Sequence, residues 1–353
     1  MKEPQVKERN SNLELFRIIT MLVIVAHHYV VNSGLEVLIN QDTTLSFNNI
    51  FLLLFGWGGK TGINCFVMIT GYFMCKSTLT VRRYLKLLLE VLFYRIVFYI
   101  VFMLSGYFDF GIIGFFKAIT GFTSISTGFT SSFLVFYLFI PFLNILTNNM
   151  NKKMHLLLIA LCLGIHTVLP SLRLAAPKFS YVSWFMIIYL IAAYLRIHPD
   201  KHTENNKLWT LSMFLCLLAS ILSVIAGAVV EKQFGTKSVH YFFVADSNKI
   251  LALLTAVSAF MFFKNLNIPQ SKLINKIAAS TFGVLLIHAA NDSMRTWLWG
   301  DFLKNTNFYN SEFLVLHAIG TVILIYIVCT LIDMLRIKFI EKPLFKKIDK
   351  YLK

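Results

Sequence analysis

Long apolar segments, separated by short polar segments rich in Lys and Arg, follow one another along almost the whole chain. A helix needs about 20 apolar residues to cross the hydrocarbon core of a bilayer, and most of these segments approach or exceed that length. The pattern therefore predicts an all-α, polytopic integral membrane protein with about ten transmembrane helices. The predicted spans are residues 13–32, 49–74, 84–105, 129–148, 154–169, 181–196, 208–230, 248–263, 274–291 and 312–335.

Composition supports a membrane protein. Hydrophobic residues make up 57% of the 353 residues and charged residues only 14%, and a soluble domain could not bury so much apolar surface. We expect a cytoplasmic N-terminal segment at residues 1–11, a transmembrane domain at 12–345 and a basic cytoplasmic tail at 346–353, without a cleavable signal peptide. The five cysteines are scattered through apolar segments without metal-ligand or disulfide spacing, and we expect them to pack in the interior.

The distribution of positive charge predicts the topology. A net charge of +16 would suit binding to nucleic acid, but Lys and Arg cluster in the connections between spans, which argues against it. If both termini are cytoplasmic, the cytoplasmic segments hold 22 of the 33 Lys and Arg residues, and seven of these lie from Arg336 onward. The opposite side holds seven. Such an excess is typical of cytoplasmic loops, so the charges favour ten spans with both termini in the cytoplasm.

The first span contains ionisable residues at regular spacing. Eleven positions separate Arg17 from His28, and at about 100° per residue they return to within about 20° of the same direction. The two residues would lie about 16 Å apart along the helix axis. Glu14 is within about 60° of Arg17, whereas His27 points roughly 80° away from it. Ionisable residues at this depth usually face a protein interior or a watery cavity, so this stripe is a candidate functional site.

Further motifs lie within or next to other spans. They are the Gly- and Phe-rich segment 62–73 with Thr70-Gly71-Tyr72, the sequence Arg82-Arg83-Tyr84-Leu85-Lys86, the sequence Pro141-Phe142-Leu143-Asn144, the segment 280–288 ending in Leu286-Ile287-His288, and Glu341-Lys342-Pro343. Together with Glu14, Arg17 and His28, these motifs resemble in order and spacing the acyltransferase-3 family of membrane acyltransferases. That family includes bacterial enzymes that O-acetylate cell-surface polysaccharides. Thr70 replaces the usual Ser, and Lys86 replaces a second Arg, which keeps the charge but loses bidentate geometry.

The resemblance implies a membrane O-acyltransferase in the bacterial plasma membrane. It would move acetyl or another short acyl group from cytoplasmic acetyl-CoA or acyl-CoA to a hydroxyl of an extracytoplasmic polysaccharide or its lipid-linked precursor. No bound cofactor or metal is expected, and acyl-CoA would be the donor substrate. Membrane lipid and the glycan acceptor are the expected partners, and nucleic acid is not.

Acyl transfer needs a base near neutral pH and positive charge near a developing oxyanion. We expect His28 to be the base or a transient acyl carrier, with Arg17 and Glu14 orienting it and stabilising charge. The resemblance implies that Arg82, Arg83 and Lys86 contact the phosphates of coenzyme A or act as a structural lock at that entrance. His288 either contacts substrate or is structural.

Simpler explanations remain open for each residue. His28 could be a buried hydrogen-bonded residue, and Arg17 could be a residue that extends to the membrane interface. Arg82, Arg83 and Lys86 could serve only as topology signals. Lys60, Arg95 and Lys249 are further intramembrane cations that could line a cavity.

Two other classes of protein would fit a multi-pass chain. A transporter or flippase for a lipid-linked sugar would also need intramembrane charges, but it should show internal repeats or paired broken helices, and the sequence shows neither. A sensory or structural subunit could keep the same fold without catalysis.

Overall fold

The computed structural model describes residues 10–175, 177–236 and 239–351. Most of the predicted N-terminal segment (residues 1–9) and the end of the predicted tail (352–353) lie outside these residues. The described chain is helical and contains no strand, which confirms the all-α class. The predicted domain boundaries at 12 and 345 stay predictions.

Seventeen α-helices follow one another in the described chain. They are α1 (Ser11–Val31), α2 (Leu35–Gln41), α3 (Phe47–Gly56), α4 (Gly59–Met74), α5 (Val81–Leu104), α6 (Ile112–Thr120), α7 (Phe129–Asn149), α8 (Lys152–Leu163), α9 (Leu169–Ser171), α10 (Tyr181–Ile197), α11 (Asn206–Phe234), α12 (Ile250–Asn265), α13 (Lys272–Ala278), α14 (Thr281–His288), α15 (Asp292–Arg295), α16 (Leu314–Arg336) and α17 (Lys342–Ile348). Three π-helical turns (Gly164–Val168, Thr296–Phe302 and Ile337–Glu341) and a 3₁₀ turn (Asn305–Phe308) connect some of them.

Each predicted span coincides with helix, but the number of crossings differs from a simple count of ten. In the described residues, seven helical stretches are long and apolar enough to cross a membrane, and an eighth qualifies if a bent pair is one span. The apolar helices α10 and α12 have only 17 and 16 residues, about 25 Å at 1.5 Å per residue, against a core of about 30 Å. The polytopic class is confirmed, and ten crossings stays a prediction.

The ninth predicted span, 274–291, is not one straight helix. The helical stretch Lys272–His288 ends at His288, and the next stretch, Asp292–Phe308, turns away from it by 94°. The side chain of Asn291 caps the N-terminus of the second stretch by accepting a hydrogen bond from the Met294 amide at 2.7 Å. The apolar run continues across this break, so periodicity alone did not reveal it.

The helices run between two faces of the molecule. The proximal face, where α1 begins, also contains the connections 75–80, 150–151, 198–205 and 266–271, and the end of α17. Hydrogen bonds join these segments there, including Ser11 Oγ to Gln270 Oε1 at 2.8 Å and Lys152 Nζ to Asp200 Oδ2 at 3.1 Å. Among the described residues, the distal face contains the connections 32–34, 105–128, 172–175, 177–180, 235–236, 239–249 and 289–313. The first and last described residues therefore share the proximal face.

Helix α1 lies at the centre of the bundle and packs against α3, α4, α12, α13, α14 and α16. Close approach of α1 to α3 and α4 depends on glycines. A Cβ on Gly59 would overlap the ring of His27, and a Cβ on Gly62 would lie 2.7 Å from Ile24 Cγ1. Small residues at helix contacts allow this spacing in membrane bundles, and here they bring the end of α1 next to α4.

Candidate active site

A polar cavity of about 260 Å³ surrounds the last two turns of α1. Its walls come from α1, α4, α5, α7, α10, α14 and α15 and from the distal connection that precedes α7. His27 and His28 both line it, and exposed Ser124 and Thr127 lie at its distal end. Along α1 the lining reaches toward the proximal face as far as Met21. The cavity is therefore accessible from the distal side and extends into the helical bundle.

His28 and His288 form a hydrogen-bonded pair inside this bundle. Nδ1 of His28 lies 2.9 Å from Nε2 of His288, and Nδ1 of His288 lies 2.6 Å from the Val284 carbonyl oxygen. A carbonyl oxygen only accepts, so Nδ1 of His288 donates to it. In a neutral ring, Nε2 of His288 then accepts the Nδ1–H of His28. Nε2 of His28 is left with its lone pair, and no residue in the described chain hydrogen-bonds to it.

The helix break positions His288. This residue is the last of α14, has no exposed surface, and lies edge-on to Trp299 with ring centroids 6.4 Å apart. Ending the helix here places the imidazole in the interior beside α1. The resulting order of carbonyl, imidazole and imidazole resembles the way a catalytic histidine is oriented by a hydrogen-bond acceptor behind it.

His27, which the helical period places about 80° from Arg17, lines the same cavity as His28. Its Nδ1 lies 2.5 Å from the carbonyl oxygen of Gly56, and its ring centroid is 5.7 Å from that of His28. The cavity wraps around the end of α1 widely enough to include two consecutive residues. The two histidines differ in what holds them, because the main chain fixes His27 and a second imidazole fixes His28.

Arg17 and Glu14 lie apart from the histidine pair. The Arg17 guanidinium is 3.4 Å from the Glu14 carboxylate, one turn along the same helix. Neither residue lines the cavity, and Arg17 lies one turn beyond Met21 toward the proximal face. Half-buried Tyr137 on α7 lies within electrostatic reach of both Arg17 and Arg83. The predicted stripe is thus divided into a histidine site and a proximal ion pair about 16 Å away.

The predicted basic cluster at the start of α5 contacts the end of the chain. Arg82 binds Asp349 with two nitrogens, at 2.6 and 3.1 Å, and Lys86 Nζ lies 2.7 Å from Glu341 Oε1. The hydrogen bond from Arg82 lowers the pKa of the Asp349 carboxyl. Arg83 donates to Ser77 Oγ and to the Thr78 carbonyl oxygen. These contacts fit a structural lock, and phosphate contact by the half-exposed side chains of Arg82 and Lys86 stays a prediction.

Arg336, counted from the sequence among the cytoplasmic charges, is buried and paired. Its guanidinium contacts Glu90 at 3.1 Å, Asp333 at 2.8 Å and Glu341 at 2.9 Å. Tyr94 also donates to Asp333, at 2.9 Å. The available signal was the spacing of Asp333 and Arg336, three residues apart at the end of an apolar run. Arg295, a further cation of the cavity wall, lies beyond the end of the predicted span 274–291, and no motif in the sequence marks it as a site residue.

A membrane-embedded helical bundle with an oriented histidine in a polar cavity is compatible with a membrane-bound transferase. A family model described as an acyltransferase domain matches residues 10–334. The chain therefore belongs to the acyltransferase-3 family, and it is an acyltransferase. No curated protein and no solved structure matched the chain.

Proposed function

We propose that this enzyme transfers acetyl or another short acyl group from acyl-CoA to a hydroxyl of a glycan. The acceptor is a cell-surface polysaccharide or its lipid-linked precursor. The observation that carries this proposal is the setting of His28, which lines a cavity accessible from the distal face while His288 holds its Nδ1. The family supplies acyl transfer, and the cavity suggests where the acceptor hydroxyl is activated.

The distribution of charge supports a reaction in which donor and acceptor enter from opposite sides of the membrane. The segments with the predicted excess of Lys and Arg form the proximal face, which the positive-inside rule assigns to the cytoplasm. Acyl-CoA would approach from there, where Arg17 and Arg83 lie near Tyr137. The acceptor would enter from the distal, extracytoplasmic side of a bacterial plasma membrane. One turn of α1, from Arg17 to Met21, separates the proximal entrance from the cavity, and the acyl group must pass it.

The chemistry follows from the free nitrogen of His28. Nε2 takes the proton of the acceptor hydroxyl as its oxygen attacks the thioester carbonyl. The new C–O bond forms, the C–S bond breaks, and the proton returns from Nε2 to the departing thiolate. Nε2 of His288 stabilises the imidazolium formed on His28 by accepting the hydrogen bond from its Nδ1–H. Lys60 lines the cavity, and its Nζ lies 3.0 Å from the hydroxyl of Tyr181; its positive charge would stabilise the oxyanion.

A transacylation assay tests the proposal. Purified protein in lipid nanodiscs, given radiolabelled acetyl-CoA and a glycan acceptor, should release free coenzyme A and label the acceptor in equal amounts. His28→Ala should abolish both signals, and His202→Ala, at an exposed proximal position, should retain them. Release of coenzyme A that does not depend on His28 would contradict the proposed role of this residue. Failure of the wild-type protein to label the acceptor would contradict the proposed transfer reaction.

The bent helix also raises the transporter alternative, because discontinuous helices often form transport sites. The 94° break lies next to His288. A transporter would move its glycan without consuming thioester, so the same assay separates the two functions. Membership in an acyltransferase family favours the enzyme.

A further inference from the structure

The wall of the cavity opposite α1 carries positive charge without an acidic partner inside it. Arg95 from α5, Arg295 from α15 and Lys60 from α4 all line the cavity. Among the described lining residues none is Asp or Glu. Three cations in a partly enclosed space, inside a protein surrounded by lipid, are unfavourable unless something neutralises them.

The contacts of the two arginines leave their charge available. Arg95 Nη2 donates to the Lys117 carbonyl oxygen at 2.8 Å and to Thr123 Oγ1 at 2.9 Å, both uncharged. Arg295 Nη1 donates to Asp292 Oδ1 at 2.9 Å, but the side chain of Asp292 is 97% exposed, so this pair is a weak surface contact. In both arginines Nε is buried and has no hydrogen-bond partner.

An oxyanion has the chemistry to complete these contacts. A guanidinium presents several N–H donors in a plane that matches a carboxylate or phosphate, and the unpaired Nε–H groups are the unused part of that donor set. Arg95 and Arg295 also line a wider opening of about 640 Å³ that continues the cavity toward the distal face. A ligand that enters there meets the arginines before it reaches His28.

We infer that Arg95 and Arg295 bind a carboxylate or phosphate group of the acceptor glycan and so hold a neighbouring hydroxyl at His28. This inference rests on the proposed function and adds the class of acceptor, an anionic glycan. The donor is a less suitable source of the anion, since coenzyme A would enter from the proximal face. On that side Met21 and Phe66 line the cavity, whereas both arginines also line the wider opening toward the distal face.

Protection of a cysteine from alkylation tests the inference without requiring turnover. Cys162 and Cys216, the two partly exposed cysteines, are first replaced by Ser, and Thr127→Cys places a reporter at the cavity rim. The rate of its reaction with N-ethylmaleimide is measured with increasing glucose, glucuronic acid or glucose 1-phosphate. We expect the two anionic sugars to protect at concentrations at least roughly tenfold lower than glucose, as expected for one charge-assisted hydrogen-bond pair.

Variants then locate the anion. Arg95→Gln and Arg295→Gln should each abolish the preference for anionic sugars, and Arg295→Lys should retain part of it. Lys178→Gln, which removes an exposed distal charge outside the cavity, should leave it unchanged. Equal protection by glucose, absence of protection by both anionic sugars, or a preference that survives both Gln variants would overturn the inference. Stronger protection by coenzyme A through the same arginines would also overturn it, because the site would then belong to the donor.

A lipid-linked diphosphate sugar with a short farnesyl chain, compared with glucose 1-phosphate, identifies the source of the anion. Stronger protection by the farnesyl compound indicates a lipid-linked precursor, and equal protection indicates an anion on the sugar itself; either supports the inference. Its failure is distinguishable from failure of the proposed function. Transfer to a neutral glycan that depends on His28, without a preference for anions, would overturn only the acceptor class, whereas protection without any thioester turnover would overturn only the enzymatic proposal.

Discussion

The hydrogen bond between His28 and His288 makes the two residues unequal. Nε2 of His28 is free to exchange a proton with substrate, while both nitrogens of His288 are already engaged. His288 is therefore a positioning residue. His27 has a free nitrogen as well, but a main-chain carbonyl holds it and no second imidazole stands behind it.

Substitution of the histidines should give three different results. His28→Ala should lower kcat by about 10²–10⁴, the usual effect of losing a general base. His288→Ala should lower kcat less and leave the KM for the acceptor unchanged, and His288→Asn should recover part of the activity because its amide oxygen can accept from Nδ1–H. His27→Ala should retain measurable activity. The measurement is steady-state acyl transfer at equal amounts of folded protein, and an inactive His27 variant beside an active His28 variant would reverse the assignment.

Arg17 allows charge to be separated from geometry. Arg17→Lys keeps a positive charge but loses the planar fork of N–H donors with which a guanidinium can join Glu14 to a donor phosphate or oxygen. We expect severely impaired transfer, with a raised KM for acyl-CoA, and at least as large a loss in Arg17→Ala. A residue that only extends to the membrane interface would be replaced well by Lys. Wild-type kinetics in the Lys variant would therefore identify Arg17 as a topology signal.

At the level of elements, the π-helical turn Ile337–Glu341 explains the Glu341-Lys342-Pro343 motif. Residues five apart in an α-helix point about 140° away from each other, yet Glu341 contacts Arg336 at 2.9 Å. The π turn closes this gap, with the Lys342 amide bonded to the Ile337 carbonyl oxygen. Pro343 follows directly, and its ring prevents a regular α-helix from continuing through the turn.

Substitution of Pro343 should change the direction of the Glu341 side chain. Pro343→Ala allows α16 to continue as an α-helix, which would rotate Glu341 away from Arg336 and Lys86. Since loss of a buried ionic partner typically costs about 3–5 kcal/mol, we expect a clear decrease in the thermal unfolding midpoint. Glu341→Gln should reproduce much of the decrease, and Leu344→Ala, at a partly exposed apolar position nearby, should not. An unchanged midpoint in Pro343→Ala would show that the π turn forms without the proline.

The positions of individual helices could be predicted from the sequence better than the contacts between helices. The length and apolar character of each segment located the helices, and the helical period correctly placed Arg17 and His28 on α1. The contact of His28 with His288 spans 260 residues and depends on a break that the apolar run 274–291 does not mark. Arg336 looked like a cytoplasmic charge because it follows an apolar run, and only the acids of α5 and the π turn explain its burial.

At the level of the whole molecule, the distribution of charge predicts a single orientation in the membrane. Reporter fusions at Lys153, Lys201 and Lys272 should report the cytoplasm, and fusions at Lys117 and Lys304 should report the opposite side. The sequence also predicts an outside location for Lys237, which lies outside the described residues. An outside signal at Lys272 would remove two crossings from the bundle and would contradict the predicted number of spans.

The pairing of α5 with the end of the chain has a consequence for synthesis. Arg82 is 267 residues from Asp349, and Tyr94 is 239 residues from Asp333. At about 5–20 residues per second, a ribosome needs roughly 13–50 s to make the intervening chain. During that time Glu90 is in the membrane without its ion-pair partner Arg336. The contacts between α5 and the end of the chain therefore form only after the last helix has left the ribosome. A chain whose synthesis is interrupted lacks them, and we expect it to be degraded by quality-control proteases.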